Sequence, residues 1–479
     1  MKPTSLNFKL NARHALDDDN LQRALANVPG GFVGKRAAAR AKLPEFDALR
    51  DTARDIKNHT LAHLDLYLEE FERKVTEAGG VVHWARDAAE AREIIAGICH
   101  EAEAKTVTKG KSMVTEEIAL NAHLEEEGFH VVETDLGEYI IQLRGETPSH
   151  IIAPAVHLTK DLVEADFRVA HRDLPADRVL EEPEQLVAEA RQVLREKFVA
   201  ADVGITGANF LVAETGSTVI VTNEGNGDLT QSLVDTHIVV ASLEKVVPTL
   251  EDVSTILRVL ARSATGQEFS TYTTFSTGSR RTEDIDGPRA MHVVLVDNGR
   301  SELLGTEFAE VLRCIRCGAC MNHCPVYHSV GGHAYGWVYP GPIGSVLTPS
   351  LLGVEEAGPL PNASTFCGRC EAVCPMHIPL PGLMRKWRAR EFEAKIPPLR
   401  QRWALAAWAF AARRPRLYRF GAGLVMPLLA RLGRKQGRFS KLAFAGGWTA
   451  HREFPAPQGK TFQQQWALKR SRRSQGVSA

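Results

Sequence analysis

The chain has 479 residues, too many for one hydrophobic core, so two to four domains are expected. With 44% hydrophobic and 24% charged residues it is an ordinary globular composition, which excludes a disordered or fibrous chain. The formal charge is zero, and the longest apolar run, FGAGLVMPLLA at 420–430, falls short of the roughly 20 residues a spanning helix needs.

The first twenty residues, MKPTSLNFKLNARHALDDDN, hold no apolar stretch of the kind a secretory signal uses. A cytoplasmic protein is therefore expected, in which eight cysteines point to metal rather than to disulfides. Residues 1–75 read as a helical region. FDALRDTARDIKNHTLAHLDLYLEEFERKVTEAGG repeats apolar residues at three and four positions, and Gly79-Gly80 is a plausible stop.

From 76 to 300, short apolar runs alternate with helical patterns. GGVVHWA, KTVTKG, FHVVETD, EYIIQL, SHIIAPA, FLVAET, STVIVTN, HIVVAS and MHVVLVD are expected as strands. DAAEAREIIAGI, VTEEIALNAHLEEEG, EPEQLVAEARQVLREKF and LEDVSTILRVLARSA are expected as helices. The alternation predicts an α/β domain with a largely parallel sheet. Within it, VTKGKSMVTEEI places GKS between a strand and a helix, but Lys105 stands where a phosphate-binding loop requires glycine. Ser112 reads instead as a helix N-cap, with Lys109 and Lys111 able to hold an anion beside it. TGS at 215–217 reads as a hairpin turn. Glu214, Asn223 and Glu224 gather near strand ends, where α/β folds place ligands or, equally, tight turns and solvated carboxylates. No set of residues capable of catalysis by itself is visible, and Cys99 reads as a buried helix cysteine.

Residues 301–384 hold seven of the eight cysteines. Cys314, Cys317, Cys320 and Cys324, followed by Pro325, match the run C-x2-C-x2-C-x3-C-P of bacterial ferredoxins. A second run supplies Cys367, Cys370 and Cys374 before Pro375, and its missing leading cysteine falls at Ser364. In such pairs three thiolates of one run hold one cluster and the fourth crosses to the other. The first cluster is thus expected on Cys314, Cys317, Cys320 and Cys374, a full [4Fe–4S] set. The second falls to Cys324, Cys367 and Cys370, its fourth position open or filled by Ser364, another side chain, water or a partner. It is [4Fe–4S] with a labile iron, or [3Fe–4S]. Structural zinc favours paired tetrads, and seven cysteines in two CP-terminated runs do not divide that way. Arg313, Arg316 and Arg369 flank the loops, either favouring the reduced clusters or serving as docking charges. His323, His328 and His377 read as packing or surface residues. The stretch YGWVYPGPIGSVLTPSLLG between the runs is expected to pack over the clusters and exclude water.

Residues 385–479 carry 22 Lys and Arg against three acidic residues, a net of +19 that balances −19 in the rest of the chain. Five of the seven tryptophans lie here. A helix with aromatics on one side and arginines on the other suits a lipid interface, where a membrane quinone would be a natural electron sink. Packing on an acidic protein surface is the favoured alternative. The tryptophans follow helical spacing rather than a base-stacking platform, so no nucleic-acid partner is expected.

The stretches GKSMVTEEIALN, SHIIAPAVH, GITGANFLVAETGSTVIVTNEGN, CIRCGACMNHCPVY, YPGPIGSVLTP, CGRCEAVCP and GWTAHREFPAPQGKTFQQQW resemble the lactate utilization protein B family, over nearly the full length. The resemblance implies an α/β LUD domain of the isomerase/CoA-transferase kind. It implies an α-helical ferredoxin-type domain with two [4Fe–4S] clusters on the seven cysteines, between helical N- and C-terminal extensions. It further implies a three-protein complex oxidising L-lactate to pyruvate, in which this subunit carries electrons and does not act as a stand-alone enzyme. The chain has no CCG cysteine pair and no flavin or nicotinamide fingerprint, so two other subunits, one with CCG motifs, would supply that chemistry. A site at the inner face of the membrane fits the same role. The alternatives are a subunit for glycolate or glycerol 3-phosphate oxidation, or an enzyme using its incomplete cluster as a Lewis acid.

Overall fold

The apolar runs between residues 81 and 296 form ten strands. In chain order they are β1 (Val81–Ala85), β2 (Thr106–Lys109), β3 (His130–Glu133), β4 (Val203–Gly207), β5 (Phe210–Val212), β6 (Ser217–Thr222), β7 (Thr236–Ser242), β8 (Val246–Val247), β9 (Tyr272–Ser276) and β10 (Ala290–Val296). The structure, a computed structural model, describes residues 3–442, 446–449 and 452–474. It divides into two compact units, Met1–Glu391 and Phe392–Ala479.

Six strands make one sheet, ordered β1-β10-β7-β4-β2-β3, and every neighbouring pair is parallel. Parallel neighbours need crossovers, which here are helices such as Ala88–Glu101 and Pro183–Val199. Both sheet faces are covered, as the continuous Val/Ile runs require. Ile238 and Val240 of β7, with Val294 and Val296 of β10, face Ile95 and Cys99 of helix Ala88–Glu101. The alternate residues Val239, Ala241, Val293 and Leu295 face Leu64, Leu68, Phe71 and Val75 of helix Leu64–Glu77. That helix ends as expected: Gly79 takes a left-handed φ of 84°, and its N–H and that of Gly80 return to the carbonyls of Thr76 and Val75. The TGS hairpin also forms, pairing β5 with β6 antiparallel, in a smaller mixed sheet ordered β8-β5-β6-β9.

Two expected strands are not strands. EYIIQL lies in helix Leu136–Arg144, because Asp135 caps its start, accepting from the N–H groups of Gly137 and Glu138, and Gly145 closes its end at φ 64°. SHIIAPA is an irregular buried loop. His150 Nδ1 accepts the N–H groups of Ile152 and Ala153 while its Nε2 pairs with Asn322 Oδ1 at 2.8 Å, so tertiary contacts replace a ladder. VTEEIALNAHLEEEG is two helices, broken at Ala119 with φ 54°. Strands β4, β8 and β9 and helices Lys160–Ala170 and Asn226–Ser232 complete the domain without having been expected.

Among the described residues, 301–384 contain only helices and loops, including Ala319–Asn322, Pro325–Val330, Gly341–Ala357 and Arg369–Val373. This segment shares one apolar core with the N-terminal helices, where Phe46, Ala53, Tyr327, Tyr339 and Leu383 meet. In the second unit, helices Leu399–Ala412 and Pro415–Gly433 pack on each other and leave Trp403, Trp408, Phe410 and Phe420 exposed. Positions 443–445, 450–451 and 475–479 of the basic region lie outside the described residues.

Candidate iron–sulfur centre

Each cysteine loop is built on a Cys-Gly pair. Gly318 after Cys317 and Gly368 after Cys367 take left-handed φ of 71° and 81°. A short helix starts directly after each, Ala319–Asn322 and Arg369–Val373. The reversal turns successive thiols toward a common point, and a side chain at Gly318 would meet the His150 ring at 3.1 Å.

Cys314, Cys317, Cys320 and Cys374 line one small cavity, with Ile151, Ile343, Ile378 and Leu380 in its walls. Three of these thiols come from the first run and one from the second. Cys324, Cys367 and Cys370 form another group, in which Cys370 feels the charge of both the others. Burial pushes the thiols of Cys317 and Cys370 up to about 12 and that of Cys374 to about 11. Unmetallated, these thiols hold their protons, and binding iron would release them. Cys367 is the exception. It is exposed, and the Arg369 N–H and Thr365 hydroxyl lower its pKa. Among the described residues, the groups with three or more ligand atoms within 4.8 Å of one another are Glu146/His157/His333 and Glu116/Glu133/Glu138. The thiols are spread wider than one zinc ion would draw them, with Zn–S near 2.3 Å. A sulfur-only donor set around an apolar cavity fits an iron–sulfur cluster, which supplies one-electron redox chemistry when bound.

The expected cover is present in a different form. YGWVYPGPIGSVLTPSLLG is largely buried and builds helix Gly341–Ala357, with Ile343 against the thiol cavity. Ser364 is half-buried and its hydroxyl accepts the Phe366 N–H at 3.0 Å. The three histidines pack: His323 Nδ1 meets the Ala319 carbonyl, His328 Nε2 the Asn322 carbonyl, and His377 stands 3.4 Å from Asp51. Cys99 is fully buried.

The flanking cations divide. Arg369 is exposed, whereas Arg313 and Arg316 are buried. Arg316 lies over the Tyr339 ring, 4.5 Å from its centroid, and pairs with Glu244 at 2.9 Å. Glu244 also pairs with Arg300 at 2.9 Å, and Arg300 holds Glu117 through contacts of 2.9 and 2.7 Å. Tyr339 donates to Glu117 at 2.6 Å, and buried Lys57 donates to the Glu244 carbonyl. Burial opposes charge on Glu244, yet Arg300 and Arg316 hold its carboxyl down at about 2. Burial lowers Lys57 and Lys245 to about 8.

Two positioning residues escaped the sequence reading. Arg50 donates to the Cys374 carbonyl at 2.7 and 3.2 Å and to the Ala372 carbonyl at 3.0 Å. Arg36 donates to the Val373 carbonyl at 2.9 Å. Both guanidiniums fix the second loop and place positive charge beside the thiols. Arg50→Met is expected to destabilise the protein by about 2–3 kcal/mol, because three charged hydrogen bonds to carbonyls and the ion pair with Asp47 vanish and buried carbonyls lose their donors. Denaturant titration of the wild type and the variant checks this.

Of the strand-end residues, Glu214 accepts the Leu250 N–H at 2.6 Å. Asn223 and Glu224 line a cleft. Ser112 does cap helix Met113–Glu117, its hydroxyl accepting from Thr115. Lys109 holds no anion: it is fully buried between Glu116 and Glu133, at 2.9 and 2.8 Å.

An α/β domain built on a six-stranded parallel sheet and joined to a cysteine-rich helical segment defines an iron–sulfur protein, and comparison with known families agrees. Residues 68–296 match the LUD domain and 310–378 the 4Fe-4S dicluster domain, while 390–471 match the C-terminal region of lactate utilisation protein B. Lactate utilization protein B of Bacillus pumilus is 42% identical over 99% of this chain and 100% of its own length. Those of Shouchella clausii (43%, covering 95% of both chains) and Geobacillus thermodenitrificans (44%, covering 93% of this chain and 94% of the relative) are as similar. The chain belongs to the lactate utilization protein B family.

Proposed function

We propose that the protein is the electron-transfer subunit of a complex that oxidises L-lactate to pyruvate. In this reading it holds two [4Fe–4S] clusters, one on Cys314, Cys317, Cys320 and Cys374, the other on Cys324, Cys367 and Cys370. The second has a fourth position that is open or filled by Ser364. The observation that supports this most is the convergence of Cys374 with the three leading thiols of the other run on one cavity. Buried Arg36, Arg50 and Arg316 around that cavity favour the extra negative charge of a reduced cluster. No residue set of the α/β domain suggests hydride or flavin chemistry, so substrate oxidation falls to partner subunits, one carrying CCG motifs. The exposed aromatic and basic second unit would dock a partner or the membrane face where a quinone takes the electrons.

The test is growth on L-lactate after deletion of the gene, complemented with the wild type or with Cys317→Ser. Only the wild type is expected to restore growth. Restoration by the variant, or normal growth of the deletion strain, would overturn the reading. A one-electron paramagnetic signal that appears with lactate and the partner subunits separates an electron carrier from a Lewis-acid enzyme, whose spectrum would respond to substrate alone.

A further inference from the structure

Two stretches that the proposed function does not use, GKS at 110–112 and NEGNG at 223–227, meet in one cleft of about 230 Å3. It opens at the carboxyl ends of β2 and β4, where Gly110–Ser112 and Gly207–Asn209 leave the sheet. Open α/β sheets bind ligands at such ends. Its far wall is Arg316, which together with Ile151 also lines the thiol cavity. Whatever occupies the cleft is one side chain away from Cys314, Cys317, Cys320 and Cys374.

Its walls contain polar atoms that the protein leaves unsatisfied. Lys111 Nζ, Arg316 Nε and Nη1, Thr222 Oγ1 and Asn226 Oδ1 are all buried without a hydrogen-bond partner. Asn226 is only 6% exposed and Lys245, which also lines the cleft, 7%. Buried groups of this kind are uncommon in folded proteins, and these five gather on residues that line one cleft. Their chemistry is specific. Lys111, Lys245 and Arg316 offer donors to an anion, whereas Asn226 Oδ1 needs a donor and Thr222 can give or take one. Asp135 and Glu224 line the same cleft and repel a dianion. The complement is a single negative charge carried next to a hydroxyl.

We propose that this cleft binds a small 2-hydroxy monocarboxylate, its carboxylate on Lys111, Lys245 and an unpaired N–H group of Arg316, its hydroxyl between Asn226 and Thr222. The inference rests on the proposed function for the physiological acid. Its test is binding and needs no electron transfer, so either can fail alone.

The experiment is calorimetric titration of the anaerobically purified full chain with L-lactate, with propionate, which lacks the hydroxyl, and with inorganic phosphate. L-lactate is expected to bind saturably with one site per chain, propionate about tenfold or more weaker, and phosphate not to displace lactate. Lys111→Met and Lys245→Met are each expected to weaken lactate binding about tenfold, or 1.4 kcal/mol, with melting temperature confirming that at least one variant folds. No saturable binding, equal binding of propionate, displacement by phosphate, or unchanged binding in a folded variant would each overturn the proposal.

Discussion

Cys374→Ser is expected to abolish the same iron–sulfur signal as Cys317→Ser, although the two residues lie in different runs. Cys324→Ser is expected to spare that signal and remove the one shared with Cys367 and Cys370. Each variant should keep about half of the iron and acid-labile sulfide of the wild type. The physical ground is that Cys374 closes the cavity of Cys314, Cys317 and Cys320, whereas Cys324 lies within electrostatic reach of Cys367. Anaerobic reconstitution followed by iron and sulfide assays and paramagnetic resonance reads the result. If Cys374→Ser grouped instead with Cys367→Ser and Cys370→Ser, each run would hold its own cluster and crossed ligation would be wrong.

The second large effect is expected at Glu244. This carboxylate, 3% exposed, stands between Arg300 and Arg316. Glu244→Ala strands the buried guanidinium of Arg316, leaves Arg300 with Glu117 alone, and is expected to cost about 3–5 kcal/mol, read as a shift in denaturation midpoint. The same site sets an acid limit. Its carboxyl is held at about 2 in the folded state, below the ordinary 4.5, so its contribution is present above pH 4.5 and is lost as pH falls toward 2. For that one group the full loss is on the order of 3 kcal/mol. Glu244→Gln keeps the shape and should show a correspondingly shallower loss of stability over that pH interval. Equal slopes would mean that other carboxylates dominate.

The cysteine loops were legible because their spacing is local: the three-residue steps and the Cys-Gly pairs determine where the thiols point. The parallel sheet was legible for a related reason, since β7 and β10 read as continuous apolar runs buried on both faces. What failed was local propensity without its boundaries. The β-branched centre of EYIIQL suggested a strand, but Asp135 before it and Gly145 after it were the helix signals. The buried loop at SHIIAPA could not be read locally, because its bonds run to Asn322, 172 residues away from His150. Arg50 and Lys57 were missed for a subtler reason. Phe46, Arg50, Ala53, Lys57 and Thr60 form one buried stripe on helix Phe46–Ala62. Two cations on an apolar stripe signalled buried carbonyls or charge nearby, though not which loop supplied them.

The seven thiols of the two runs are unequally sheltered. Five are buried, Cys314 is half-covered, and Cys367 is open to solvent. Dioxygen and peroxide therefore meet the chain first at Cys367. A preparation exposed briefly to air should be degraded from that end inward, with the centre behind Ile343 outlasting its neighbour. The protein's oxidative lifetime is then set by one side chain at its rim, and a partner seated over that rim would lengthen it.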